Sequence, residues 1–155
     1  MLIARCLYHT ADMCDQHEFY FEFDKAYNHQ LIEKFELSPE HLLEPGIAPR
    51  LKGVYALYRA GTIVYAGKAL GNTTLAGRLA DHYRKVSGRQ GISPEEVSCR
   101  FLIIDGDWFV RAAENALISH YRPAWQGSGF GRHAPGGGRP GKHPSKWESE
   151  YPLGE

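Results

Sequence analysis

Gly53-Val54-Tyr55-Ala56-Leu57-Tyr58, a break at Arg59-Ala60-Gly61, and then Thr62-Ile63-Val64-Tyr65-Ala66-Gly67 is the stretch that decides the fold. Both runs are rich in β-branched and aromatic residues, and the glycine-bearing break between them predicts a β-hairpin. Downstream, Thr73 or Thr74 is placed to cap a helix running to about Val86, with Leu75, Leu79 and Val86 on its apolar face and Gly88 as its stop. Ser93-Pro94-Glu95-Glu96 opens a helical turn or loop. Arg100 to Ile104 reads as a buried, central strand, and Asp107 as the cap of a second long helix, from Trp108 to about Tyr121, closed by Pro123. Upstream, the alternation from Phe19 to Phe23 predicts a half-buried strand. Two short helices are expected after it, one near Asn28 to Phe35 and one starting at Ser38 with Pro39 in its first turn. Past Gly127 the density of glycine and proline up to Gly141 excludes helix and regular strand, and no repeat period runs through the chain.

The chain has 155 residues, 43% of them hydrophobic, and equal numbers of acidic and basic residues, 18 of each. That describes one globular core, excludes wholesale disorder, and leaves room for an appended segment but not for a second full domain. No stretch approaches the roughly 18 apolar residues of a membrane span, and Met-Leu-Ile-Ala-Arg-Cys lacks the layout of a secretory signal, so a cytoplasmic protein without membrane partners is expected. Three cysteines, Cys6, Cys14 and Cys99, do not make a disulfide framework; reduced thiols or metal ligands fit better. Cys6, His9, Cys14 and His17 are four zinc-competent side chains close together, but their central loop is short for a finger. Partly buried cysteines and exposed histidines in a terminal element are the alternative.

The zero net charge hides a gradient. Residues 1–49 hold nine acids against three bases, whereas no acid occurs between Asn115 and Trp147. Arg122, Arg132, Arg139, Lys142 and Lys146 lie in that interval, accompanied by His120, His133 and His143, so a polyanion has a place to lie; a solvated basic loop is the alternative.

Glu114 is the most informative single residue. On a helix its neighbours at −4, +3 and +7 are Val110, Leu117 and Tyr121, which put the carboxylate within the apolar stripe. A glutamate there requires a metal ion, or a structural Arg or Lys, to face it. Arg78 and His82, four residues apart, project from one face of the earlier helix; arginine suits a phosphate and histidine can move a proton. Tyr55 and Tyr65 stand near the two ends of the hairpin. Each alone reads as ordinary packing. Together with the guanidinium, the imidazole and the carboxylate they compose a site for a phosphodiester and one divalent ion.

Gly53-Val54-Tyr55, Tyr65-Ala66-Gly67, Arg78 and Glu114 resemble, in order and approximate spacing, the GIY-YIG nuclease superfamily. Lys68, His82, the strand at Phe101 to Ile104, Pro123-Ala124-Trp125 and Gly129-Phe130-Gly131-Arg132-His133 extend the resemblance to its type II restriction endonuclease branch. It covers residues 53 to about 147. The resemblance implies an α+β fold, a small three-stranded antiparallel sheet flanked by helices. It also implies a metal-dependent endonuclease that hydrolyses double-stranded DNA, with Mg²⁺ or Mn²⁺ held by Glu114. Tyr55 would take part in proton removal from the attacking water, with His82 as a neighbouring base. Arg78 would neutralise the scissile phosphate, and Tyr65 would bond a phosphate oxygen or the nucleophile. Lys68, Gln126, Arg132, His133 and Arg139 would contact substrate. A homodimer cutting a short palindromic site, with a cognate methyltransferase in the same system, is the expected setting. A solitary mobile-element, repair or toxin nuclease and a catalytically inactive DNA-binding module are the rivals. Residues 1–52 are expected as an N-terminal extension packing on the core, 53–126 as the catalytic core, and 127–155 as a basic Gly/Pro-rich segment on the DNA. Ala66, where the family motif usually has a β-branched residue, and Gln126, where this branch has asparagine, depart from the pattern.

Overall fold

In a computed structural model, which describes residues 22–131 and 143–154, the hairpin forms as the sequence predicts: β2, Gly53–Arg59, pairs antiparallel with β3, Thr62–Ala69. Between them Ala60 and Gly61 both adopt positive φ, 49° and 74°, the backbone a two-residue turn needs to match the twist of its strands. The first helix, α1, spans Phe23–Glu36. It is one element where a half-buried strand ending at Phe23 and a shorter helix were expected; Phe19 to Phe21 lie outside the described residues.

The segment after Ser38 is not a helix. His41–Leu42 forms β1, a two-residue strand pairing with Cys99 and Ser98 of β4, Val97–Ile103. Arg100 explains the change: its guanidinium donates to the carbonyls of Glu36 and Ser38 and pairs with the Glu40 carboxylate at 3.2 Å, holding the chain extended along β4. The sheet therefore has four antiparallel strands where three were expected, in the order β1-β4-β2-β3. As expected, β4 lies between two neighbours, but it starts three residues earlier than the apolar run indicated, and Ile103 at its far end is 58% exposed.

Thr74 caps α2, Leu75–Val86, by accepting from the Gly77 amide at 3.1 Å. A single 3₁₀ turn, Pro94–Glu96, leads into β4, and α3 spans Asp107–Tyr121. The cap of α3 differs from the expectation. Gly106 occupies that position without a side-chain bond, while the Asp107 carboxylate is the first helical residue and takes the Lys52 ammonium at 2.8 Å. A short helix not foreseen in the sequence, α4, Lys146–Glu150, is closed by a reciprocal pair in which Ser145 and Glu148 satisfy each other's backbone amides.

Two cores flank the sheet. On one face Tyr55, Leu57 and Tyr65 pack with Leu75 and Leu79 of α2 and with Trp125, Phe130, Trp147 and Tyr151 from the C-terminal stretch. On the other, Val54, Ala56 and Ala66 pack with Val110, Ala113 and Leu117 of α3, behind which lie Leu31 and Phe35 of α1. Among the described residues no helix is long and apolar enough to cross a membrane. Cys99 is unpaired and buried, its thiol pushed up to about 12 by desolvation. The Cys6, His9, Cys14, His17 group lies outside the described residues.

Candidate active site

Alternation along a strand puts Tyr55 on the α2 face, and Tyr55 is registered opposite Gly67 of β3. The pairing has a steric reason. A Cβ at Gly67 would fall 2.5 Å from the Tyr55 hydroxyl, so the third residue of Tyr65-Ala66-Gly67 has no side chain because a phenol lies across it. Tyr65 is held likewise: a Cβ at Gly131 would collide with its hydroxyl. Both tyrosines are buried, Tyr55 completely, with ring centroids 6.3 Å apart.

Helix α2 delivers the partners of these phenols from successive turns. The Arg78 Nε donates to the Tyr55 oxygen at 3.3 Å, and the His82 Nε2 lies 2.7 Å from the same oxygen. Arginine has only donors, so the Tyr55 oxygen accepts from Arg78 and its own hydrogen is free to go to an unprotonated Nε2. His82 is 3% exposed, a polar side chain within the apolar stripe of α2, and Tyr65 meets its ring edge-on at 5.2 Å. One further turn along, Lys85 donates to the carbonyls of Gly129 and Phe130 at 3.2 and 2.6 Å; burial pushes its pKa down.

Glu114 comes from α3, on the opposite face. Its side chain is 16% exposed and bonds the Lys68 ammonium, itself 31% exposed. The cation facing the inward carboxylate is thus a lysine of β3; Arg78 bonds the phenol. Burial raises the pKa of both Tyr55 and Tyr65; Arg78 opposes the rise at each, and the negative charge of Glu114 adds to it at each. Desolvation works against the charge of Arg78, but its two phenol neighbours more than compensate and leave its pKa raised. The carboxylate, the guanidinium and the two hydroxyls thus share one electrostatic environment although they arrive from both sides of the sheet.

Gln126 lies beside this group with its Oε1 accepting from the Ala66 amide at 3.3 Å. Arg132, His133 and Arg139 lie outside the described residues. Two contributors were not foreseen from the sequence. Lys85 continues the series Arg78, His82 at the next helical repeat, a spacing that would have flagged it. Phe130 was expected only as part of the Gly129-Phe130-Gly131-Arg132-His133 run, with no part in the chemistry assigned to it, yet its ring lies against the His82 imidazole.

The donor set suits a hard divalent cation. Glu114 already accepts an ammonium, so a positive charge has a place at that carboxylate. No group of three or more acidic, histidine or cysteine side chains able to hold a metal occurs among the described residues, so water and substrate oxygens would have to complete an oxygen shell around a single protein ligand.

An α+β domain in which a hairpin contributes two phenols, the following helix a guanidinium and an imidazole, and a later helix one carboxylate has the parts of a metal-dependent phosphodiester hydrolase. The family model described as the Eco29kI GIY-YIG domain matches residues 65–153, and the chain belongs to that family, one of type II restriction endonucleases. It is a GIY-YIG endonuclease domain. Among solved structures it is similar to the GIY-YIG N-terminal endonuclease domain of UvrC from Thermotoga maritima. A point mutant bound to its catalytic divalent cation is 22% identical, with a TM-score of 0.39, over 62% of this chain and 93% of that one. The magnesium-bound form is 21% identical, with a TM-score of 0.38, over 62% and 94%. No curated protein matches the chain.

Proposed function

We propose that this protein is a type II restriction endonuclease that hydrolyses double-stranded DNA at a short palindromic site and acts as a homodimer, alongside a methyltransferase that protects host DNA. The observation that carries the reading is the hydrogen-bonded series Arg78–Tyr55–His82 laid across Gly67, within the field of Glu114. The unit of catalysis is 53–126, with 1–52 packed on it and 127–155 bringing the basic side chains Arg132, His133 and Arg139 to the duplex.

Water is the nucleophile and no covalent enzyme intermediate forms. Its oxygen attacks phosphorus as its proton passes to the Tyr55 oxygen and the Tyr55 proton passes to His82 Nε2; the P–O bond to the leaving oxygen breaks, and that oxygen is protonated from solvent. Burial makes a resting phenolate costly at Tyr55, which favours this relay over prior ionisation. Arg78 steadies the charge that develops on Tyr55 and on the phosphate, Tyr65 bonds a phosphate oxygen or the water, and Lys68 and Gln126 hold the strand. Glu114 would hold Mg²⁺ or Mn²⁺, which supplies charge neutralisation at the phosphate and the leaving oxygen.

The test is incubation of the purified protein with supercoiled plasmid and Mg²⁺, repeated with Glu114→Ala. Discrete fragments that vanish in the variant are expected. A smear would replace the restriction reading with a non-specific nuclease, and a gel shift without cleavage would replace it with a DNA-binding module.

A further inference from the structure

Phe130 lies in the turn that follows Trp125 and Gln126 and is completely buried. Its ring is nearly parallel to the His82 imidazole, 14° between planes and 4.8 Å between centroids, and it meets Tyr65 edge-on at 5.0 Å. Three aromatic rings therefore surround the imidazole: Phe130 on its flat side, with Tyr55 at 5.4 Å and Tyr65 at 5.2 Å.

The backbone around Phe130 is tied to the helix that carries His82. Lys85, three residues further along α2, donates to the carbonyls of Gly129 and Phe130. On the far side Gly131 lets the chain pass against the Tyr65 hydroxyl, where any larger residue would collide. Among the described residues, the charged groups near the imidazole include Arg78 and Lys85 on its own helix and, through the phenols, Glu114 from α3, and Tyr55 of β2 and Tyr65 of β3 are titratable neighbours from the sheet.

We propose that Phe130 is a positioning residue of the hydrolytic centre: its ring fixes the plane of the His82 imidazole so that Nε2 faces the Tyr55 hydroxyl, and the Lys85-bound turn 129–131 makes the C-terminal stretch part of the site. The physical reason is rotational. An imidazole has a broad second side-chain torsion, and only an orientation that points Nε2 at the hydroxyl can receive its proton. A flat partner on one side, with a tilted ring and an edge-on ring beside it, holds the imidazole in the plane that contains the 2.7 Å approach of Nε2 to the hydroxyl. The proposal rests on the reading of His82 as the acceptor of the Tyr55 proton.

Phe130→Leu keeps apolar volume and removes the flat partner. It is expected to lower kcat on a cleavable duplex by about tenfold or more, with KM within about twofold, as misorientation of a catalytic group does. It is also expected to move the imidazole ¹⁵N resonances of His82 in histidine-labelled protein. Trp147→Phe is the control. Trp147 packs against Phe130 at 4.9 Å, and its indole nitrogen has no hydrogen-bond partner among the described residues, so the change disturbs the same cluster without removing a bond. It should leave kcat and the His82 resonances as they are. Lys85→Met, which releases the turn without opening a cavity at the ring, should give both effects in weaker form and serves if Phe130→Leu does not fold. Unchanged His82 resonances with kcat within twofold of wild type in the folded Phe130 or Lys85 variant would overturn the proposal, as would equal losses in Trp147→Phe. If the unaltered protein cuts no duplex, the functional reading fails, while the His82 resonances still decide whether Phe130 orients the ring.

Discussion

Against α2 the sheet presents rings; against α3 it presents methyl groups. On the first face Tyr55, Tyr65, His82, Phe130 and Trp125 interlock through ring contacts and hydrogen bonds, and two glycines are needed to make room for the hydroxyls. On the second, Ala56, Ala66, Ala113 and Ala116 share a core, and one half-shielded ion pair, Lys68–Glu114, supplies its polarity at the site. Small residues let a helix approach a sheet closely, which is how a carboxylate on α3 influences phenols that belong to the other face. The proton-handling side is held from many directions, whereas the side that would carry a cation is held by a single exchangeable partner.

The sharpest way to break this division is Glu114→Gln, which keeps the shape of the α3 side and removes its charge. Cleavage in Mg²⁺ should fall on the order of 10³-fold or more while thermal unfolding moves little, measured on supercoiled plasmid and by calorimetry. Tyr55→Phe attacks the other side and should cost on the order of 10²-fold in kcat, since the relay loses its middle atom but the cation ligand remains. Residual activity at the Glu114→Gln level or below would show the ring side to be the dominant one. Ala66→Val restores the β-branched residue usual in the motif, but here it faces the alanines of α3. Overpacking should cost about 1–3 kcal/mol in urea unfolding, with cleavage by the folded fraction unchanged.

The smallest effect is alkaline. Burial raises the pKa of Tyr55 and Tyr65 in the folded chain above the ordinary 10, so the stability they contribute is whole below about pH 10 and is lost as pH climbs toward the folded values. Urea midpoints taken between about pH 9 and 11 should fall with pH, and less steeply in Tyr55→Phe.

Much of this was legible in the chain because the chemistry sits on regular elements. The hairpin had its β-rich runs and glycine turn, α2 its threonine cap, and α3 an acid in an apolar stripe. What was not legible depended on partners far away in sequence. Ser38 to Leu42 carries good helix-opening signals, but Arg100, some 60 positions later, draws it into a strand. Asp107 looks like a cap until Lys52 claims it. Glu114 required a metal ion or a structural Arg or Lys to face it without saying which; the register of β3 hands that place to Lys68, and no periodicity within α2 or α3 contains that information. Lys146–Glu150 is too short to carry a helical pattern and is recognisable mainly from its reciprocal Ser145–Glu148 cap.

At the rim of the sheet, β3 has no strand beyond it among the described residues, and an open row of amides and carbonyls invites another chain to zip on. Two of those groups are already taken: the Val64 carbonyl accepts from the Trp125 amide at 2.7 Å, and the Ala66 amide donates to Gln126. The longer arm of glutamine at this position thus bolts the border shut. A pair of protomers meeting about a twofold axis would not lengthen the sheet past β3 without first prising away the residues that follow Pro123, and the opposite edge offers only the two residues of β1.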